Sequence, residues 1–237
     1  MQFFFYHYSL FSLLCSFIAA LTGFLLFDKF KNTNGRYFIY YLFFVFIIEL
    51  IGGYTVFIDR NREFLGLRDC LLNTPFLNNF WWYNITWKIV AVILLSRFYQ
   101  KVLENESFKR ILKVSTILFT IFAFFYVGFN WDIYLNKSLI VLKLTGSIIV
   151  LQCVVFYFLE LLNSEKNIAC FSSLEFYVSA VILIWWLTTM PLDFYNVYFD
   201  ANDKSYIKLR YGILFIANLL MYLCFSLSLI YSKPQNK

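Results

Sequence analysis

Seven apolar runs, each long enough to cross a bilayer, occupy most of this 237-residue chain. They extend approximately over Ser9–Phe27, Tyr37–Phe57, Trp81–Tyr99, Ile111–Phe129, Ser138–Leu162, Phe171–Met190 and Lys208–Tyr231. About 20 mainly apolar residues, rising 1.5 Å each, cover the ~30 Å of hydrocarbon, so every run is a candidate transmembrane helix. In lipid a spanning segment must satisfy its backbone hydrogen bonds internally, which selects a helical bundle over a barrel for runs of this kind. No loop between them has room for a separate globular domain. The expected fold is an all-α membrane protein, a single seven-transmembrane helical bundle over residues 1–237.

Composition agrees with that architecture. The chain is 61% hydrophobic and 14% charged, against roughly 25% charged residues in soluble domains. Its 31 Phe and 18 Tyr, with abundant Ile, Asn and Lys, have the character of a chain from an AT-rich genome and point to a bacterial origin. The net charge of +6 forms no continuous basic stripe, which argues against a nucleic-acid partner. Lys and Arg instead follow the positive-inside rule. Eleven of them (Lys29, Lys31, Arg36, Arg97, Lys101, Lys109, Arg110, Lys113, Lys166, Lys233 and Lys237) fall on one side of the seven runs, and seven (Arg60, Arg62, Arg68, Lys137, Lys204, Lys208 and Arg210) on the other. The N-terminus is therefore expected outside and the C-terminus inside a bacterial cell inner membrane, with the chain multi-pass and the lipid bilayer its first partner.

Met1–Tyr8 contains no Lys or Arg, so the first run is expected to remain as a helix rather than leave as a signal peptide. Cys15, Cys153 and Cys224 lie inside apolar runs, Cys170 at the end of the sixth and Cys70 in the second loop. Their spacing reads as neither a disulfide framework nor a metal-ligand set, and no metal or cofactor is expected. The connections are short except for Ile58–Phe80, where Leu65, Leu67, Leu71 and Leu72 predict a short helix on the bundle surface. Trp81, Trp82, Tyr83 and Trp131 fall at run ends and read as interfacial anchors.

Ionisable residues inside spans are expensive and mark either a function or a buried pairing. Glu49, Lys88 and Lys143 lie eight, seven and five residues from the expected outer ends of the second, third and fifth runs. At 1.5 Å per residue they sit roughly 12, 10 and 8 Å deep, in one layer. Gly52 and Gly53 follow Glu49 by one turn, Asn84 precedes Lys88 by one turn, and Gly146 and Ser147 follow Lys143 by one turn. Such neighbours face a bundle interior. Gln152, Asn218, Thr188 and Thr189 add neutral polar groups, and Asp193 follows Pro191. Two readings stand at this level. In one, Glu49 pairs with a lysine to satisfy charge while the other lysine extends outward along its apolar stem. In the other, the two cations hold a small anionic ligand, with Glu49 as counter-ion.

Catalytic signatures are missing. His7 stands alone, and the sequence has no His-Glu-x-x-His, Gly-x-Ser-x-Gly or glycine-rich phosphate loop. No lysine lies between Tyr211 and Tyr231 to carry a retinal. The expected function is a non-catalytic sensory, ligand-binding or partner-regulating module. With so little soluble mass, it would signal through a separate membrane or cytoplasmic protein. The alternative is a small-solute or ion transporter or channel lined by Glu49, Lys88 and Lys143. An enzyme acting on lipids would need Glu49 or Asp193 as acid or base.

Glu49-Leu-Ile-Gly-Gly-Tyr54, Tyr83-Asn84-Ile85 and Phe156-Tyr157-Phe158-Leu159-Glu160-Leu161 resemble motifs of a family of seven-helix membrane proteins from Bacteroidota. The resemblance implies the seven-helix architecture and a bacterial inner membrane, and brings no chemistry with it.

Overall fold

The computed structural model describes residues 8–55, 58, 65–71, 74–77, 79–136, 140–163, 172–195 and 204–234. Every element among them is helical, apart from an isolated bridge between Ser173 and Lys233. The N-terminal helix α1 (Tyr8–Leu25) leads through a single turn, α2 (Phe27–Phe30), into α3 (Gly35–Gly52). The second connection holds the expected short helix, α4 (Leu65–Leu71), followed by a 3-10 turn at Pro75–Leu77. Next comes one continuous helical run of three parts: α5 (Phe80–Ile85), a π-helical turn (Thr86–Val90) and α6 (Ala91–Val102). Helices α7 (Glu106–Phe129), α8 (Trp131–Asn136), α9 (Ile140–Asn163), α10 (Leu174–Tyr195) and α11 (Lys204–Tyr231) complete the chain.

Five of these, α3, α7, α9, α10 and α11, are long and apolar enough to cross a membrane. The apolar stretch of α1, Leu10–Leu25, is shorter. The Phe80–Val102 run includes the π turn and carries Lys88, Arg97 and Lys101. The outward faces are those of a membrane protein: Leu25, Ile184 and Phe124 are 71%, 65% and 75% exposed, and apolar exposure continues along every long helix, far beyond the patches tolerated in water.

Side-chain chemistry sets several helix ends differently from the apolar runs. Helix α7 starts at Glu106, a turn and a half before Ile111, because Asn105 caps it: its Oδ1 accepts from the backbone N–H groups of Ser107 (2.9 Å) and Phe108 (3.3 Å). The Glu160 carboxylate, at the far end of α9, accepts from the backbone N–H groups of Glu104 (2.6 Å) and Asn105 (3.1 Å) and so fixes the Leu103–Asn105 turn. Helix α10 continues past Met190 through Pro191 to Tyr195. At the end of α11 the Lys29 ammonium donates to the carbonyls of Leu229 (3.1 Å) and Ile230 (3.0 Å), a cation placed where the helix dipole is negative.

The long helices form a closed circuit of neighbours: α1 packs on α3, α3 on α6, α6 on α9, α9 on α10, α10 on α11, and α11 back on α1. Helix α7 lies against α6 and α9. Toward the end marked by the Leu103–Asn105 turn the interior is filled. Phe38 of α3 meets Phe225 of α11 edge-on at 5.0 Å between ring centres and Phe98 of α6 at 5.7 Å, and Phe38, Phe98, Tyr99, Cys153, Val178 and Leu229 are completely buried. Hydroxyl pairs cross this layer: Tyr99 with Ser179 of α10 at 2.8 Å and Ser96 with Thr116 of α7 at 2.6 Å. Such bonds contribute about 0.6 kcal/mol each on average in bilayers. Packing is therefore dense in one half of the bundle.

Candidate functional site

The other half contains a cavity of about 310 Å³, at the lower end of the range for small-molecule sites. Five members of the helical circuit wall it: α3, the π turn with α6, α9, α10 and α11. Neither α1 nor α7 contributes to the wall.

Two cationic side chains lie on that wall, Lys88 from the π turn and Lys143 from the first turn of α9. Their levels match because α6 and α9 meet beside them. A β-carbon placed on Gly146 would stand 3.2 Å from the Lys88 carbonyl oxygen and 3.4 Å from Val92 Cγ2. The small residue at 146 eases this close approach of α9 to the π turn, one turn from Lys143. The π turn adds one residue to the local helical repeat and so resets which side chains face inward; such turns recur at functional sites. Here it brings Trp87 and Lys88 to the cavity together.

Tryptophans supply much of the remaining wall. Trp185 Nε1–H donates to Asn218 Oδ1 at 2.8 Å, and Trp186 Nε1–H donates to the Ser147 carbonyl at 3.0 Å. These bonds tie α10 to α11 and α9 and fix both indoles. Trp87 Nε1–H is buried and meets no acceptor among the described residues; an unmet buried donor costs about 1–3 kcal/mol. The two cations lie at one end of the cavity, with Ser147 and Thr189 near them. At the opposite end Leu95, Val150, Ile182 and Phe225 close it, with the Tyr41 ring beside them.

The residues singled out from sequence separate into distinct environments. Lys88 and Lys143 share the cavity, whereas Glu49 is not on its wall. Glu49 instead faces α5, where Tyr83 Oη–H donates to its Oε1 at 2.9 Å. Gly52 admits that ring: a β-carbon there would lie 2.7 Å from Tyr83 Cε2. Asn84 is spent locally, donating to the Phe80 carbonyl at 2.6 Å. Asn218 supports the cavity from behind Trp185. Gln152 is half-buried on α9 away from the cavity. Asp193 belongs to the α10 backbone, and its side chain lies outside the described residues. Glu160, an ionisable group near a run end, closes a turn.

Sequence reading missed the indoles and assigned Tyr83 only an anchoring role. A signal was present. Tryptophan belongs at the membrane interface, and Trp185-Trp186 stands about one turn inside the end of its run, where an indole needs a specific partner for its N–H.

Among the described residues no group of three or more His, Cys, Asp or Glu side chains is placed to hold a metal ion. The fold and cavity define an all-helical membrane protein with a dibasic pocket inside its helix circuit. No family model, curated protein or solved structure matches the chain, so the likeness to the Bacteroidota family rests on its three short motifs.

Proposed function

We propose that the protein is a ligand-binding membrane module, non-catalytic in itself, whose pocket takes a small anionic ligand on Lys88 and Lys143. The observation that carries this reading is the placement of both intramembrane lysines on the wall of one cavity. Ammonium groups at low dielectric donate strong, charge-assisted hydrogen bonds to an anion. The filled layer of Phe38, Phe98 and Tyr99 beyond the cavity supports binding over conduction. Ligand occupancy would be passed to a separate membrane or cytoplasmic signalling protein through the helix ends and short loops.

The topology proposed with it has all seven runs crossing a bacterial inner membrane, N-terminus outside. Helix α1 and the Phe80–Val102 run each take a full place in the helix circuit. At 18 and 23 residues they are about 27 and 34 Å long. A compartment-sensitive reporter fused to either end tests this; a cytoplasmic N-terminus would overturn it.

Benzoate, a compact organic anion, tests the binding. In phosphatidylcholine nanodiscs it should raise the unfolding temperature of the wild type in a saturable way, since a ligand at 100 times its Kd adds about 2.7 kcal/mol. Benzylamine should not, and the Lys88→Met/Lys143→Met protein should lose the response. Equal stabilisation by the amine, or an undiminished response in the double variant, would remove the proposal.

A further inference from the structure

Resting on that anion-site reading, we infer that the ligand is a single-chain amphiphile, an anionic head group at Lys88 and Lys143 with one alkyl chain reaching toward Phe225.

Both cationic side chains lie at one end of the cavity, and chain direction shows it. The π turn with α6, and α9, run the same way, and each places its lysine first and its apolar wall residues after it: Lys88 before Leu95, Lys143 before Val150. Seven residues separate the members of each pair, which is about 10 Å along a helix. Helix α10 runs oppositely and agrees, with Thr189 at the lysine end and Ile182 at the far end. A compact anion would occupy the lysine end and leave the apolar half empty. At roughly 30 Å³ for each water-sized group, 310 Å³ takes on the order of ten such groups. That matches one chain of about ten carbons and is too small for a two-chain lipid.

The physics of the surroundings makes the two ends act differently. Moving a methylene from lipid tails into an apolar pocket gains little, because both environments are equally apolar. The far end therefore selects chain length, through the closed floor at Leu95, Ile182 and Phe225, while the lysines supply the affinity. Chains longer than the cavity must displace that floor, which is backed by the buried Tyr99–Ser179 pair.

Native mass spectrometry of the protein in phosphatidylcholine nanodiscs, with hexanoate, decanoate, hexadecanoate or decan-1-ol at equal bilayer mole fraction, tests this. One decanoate should bind per chain, about tenfold tighter than hexadecanoate or decan-1-ol, as expected for losing one charged hydrogen bond or straining the floor. Lys88→Met/Lys143→Met should lose decanoate by a similar factor. Ile182→Trp, which fills the far end and leaves both lysines in place, should shift the preference from decanoate to hexanoate. If hexanoate, decanoate and hexadecanoate bind equally and still need the lysines, the chain inference is overturned and the anion site stands. Decanoate binding that ignores the lysines, or is matched by decan-1-ol, overturns both. Should the lysine variant fail to assemble, an unchanged chain-length preference in Ile182→Trp overturns the inference alone.

Discussion

Gly146 stands directly against the backbone of Lys88: a β-carbon at position 146 would be 3.2 Å from the Lys88 carbonyl oxygen. The contact joins α9 to the π turn and sets the spacing between the two walls that carry the lysines. Gly146→Ala should be close to neutral in stability, because the ~1 kcal/mol gained in helix propensity offsets a crowding of a few tenths of an ångström. Gly146→Leu should lose about 2–3 kcal/mol by overpacking and weaken benzoate binding as Lys88 moves. Thermal unfolding and benzoate titration in nanodiscs measure both; a Leu variant as stable as the wild type would show that the approach is not tight.

Glu49 and Tyr83 form a unit separate from the pocket. Removing the phenol hydroxyl leaves a half-buried carboxyl group short of its donor, so Tyr83→Phe should cost about 1–3 kcal/mol. Glu49→Gln keeps an oxygen that accepts from Tyr83 and should cost under about 1 kcal/mol. Neither should change the benzoate concentration at half-saturation. A shift in that concentration with unchanged stability would return Glu49 to the ligand site.

Lys29 fastens the α1–α3 connection to the end of α11. Lys29→Met should lower stability by about 1 kcal/mol through the two carbonyl contacts and the helix dipole. Desolvation holds the Lys29 ammonium below the ordinary lysine value of 10.5. The unfolded chain therefore keeps this proton at alkaline pH where the folded protein begins to release it, and stability gains with rising pH in that alkaline window alone. Between pH 6 and 8 the group is charged in both states, so the wild-type and Lys29→Met unfolding temperatures, compared at pH 6, 7 and 8, should differ by a constant amount. A difference that grows across this range would assign the contacts to another ionisation.

The filled layer around Phe38, Phe98 and Tyr99 bears on the transport alternative. Proteoliposomes containing the protein should take up labelled benzoate no faster than protein-free liposomes. Lysine-dependent uptake above that background would favour a transporter over a binding module.

Much of the architecture was legible in the sequence because lipid imposes a one-dimensional rule: a span is a long apolar run, and among the described residues each run here overlaps a helix, five of them long and apolar enough to cross a membrane. The helix ends were less legible. Asn105 extends α7 by capping, and α10 passes through Pro191, effects of single side chains that hydropathy averages away.

The sequence alone determined that the chain is helical and strongly apolar, and that Glu49, Lys88 and Lys143 fall within its apolar runs. Only the tertiary structure decided which of them meet. Depth along a helix follows from counting residues, but azimuth around it depends on the π turn at Thr86–Val90 and on how closely Gly146 and Gly52 let neighbours approach. Those contacts turn Lys88 toward Lys143 and give Glu49 to Tyr83, because packing, not span position, sets which faces of two helices oppose each other.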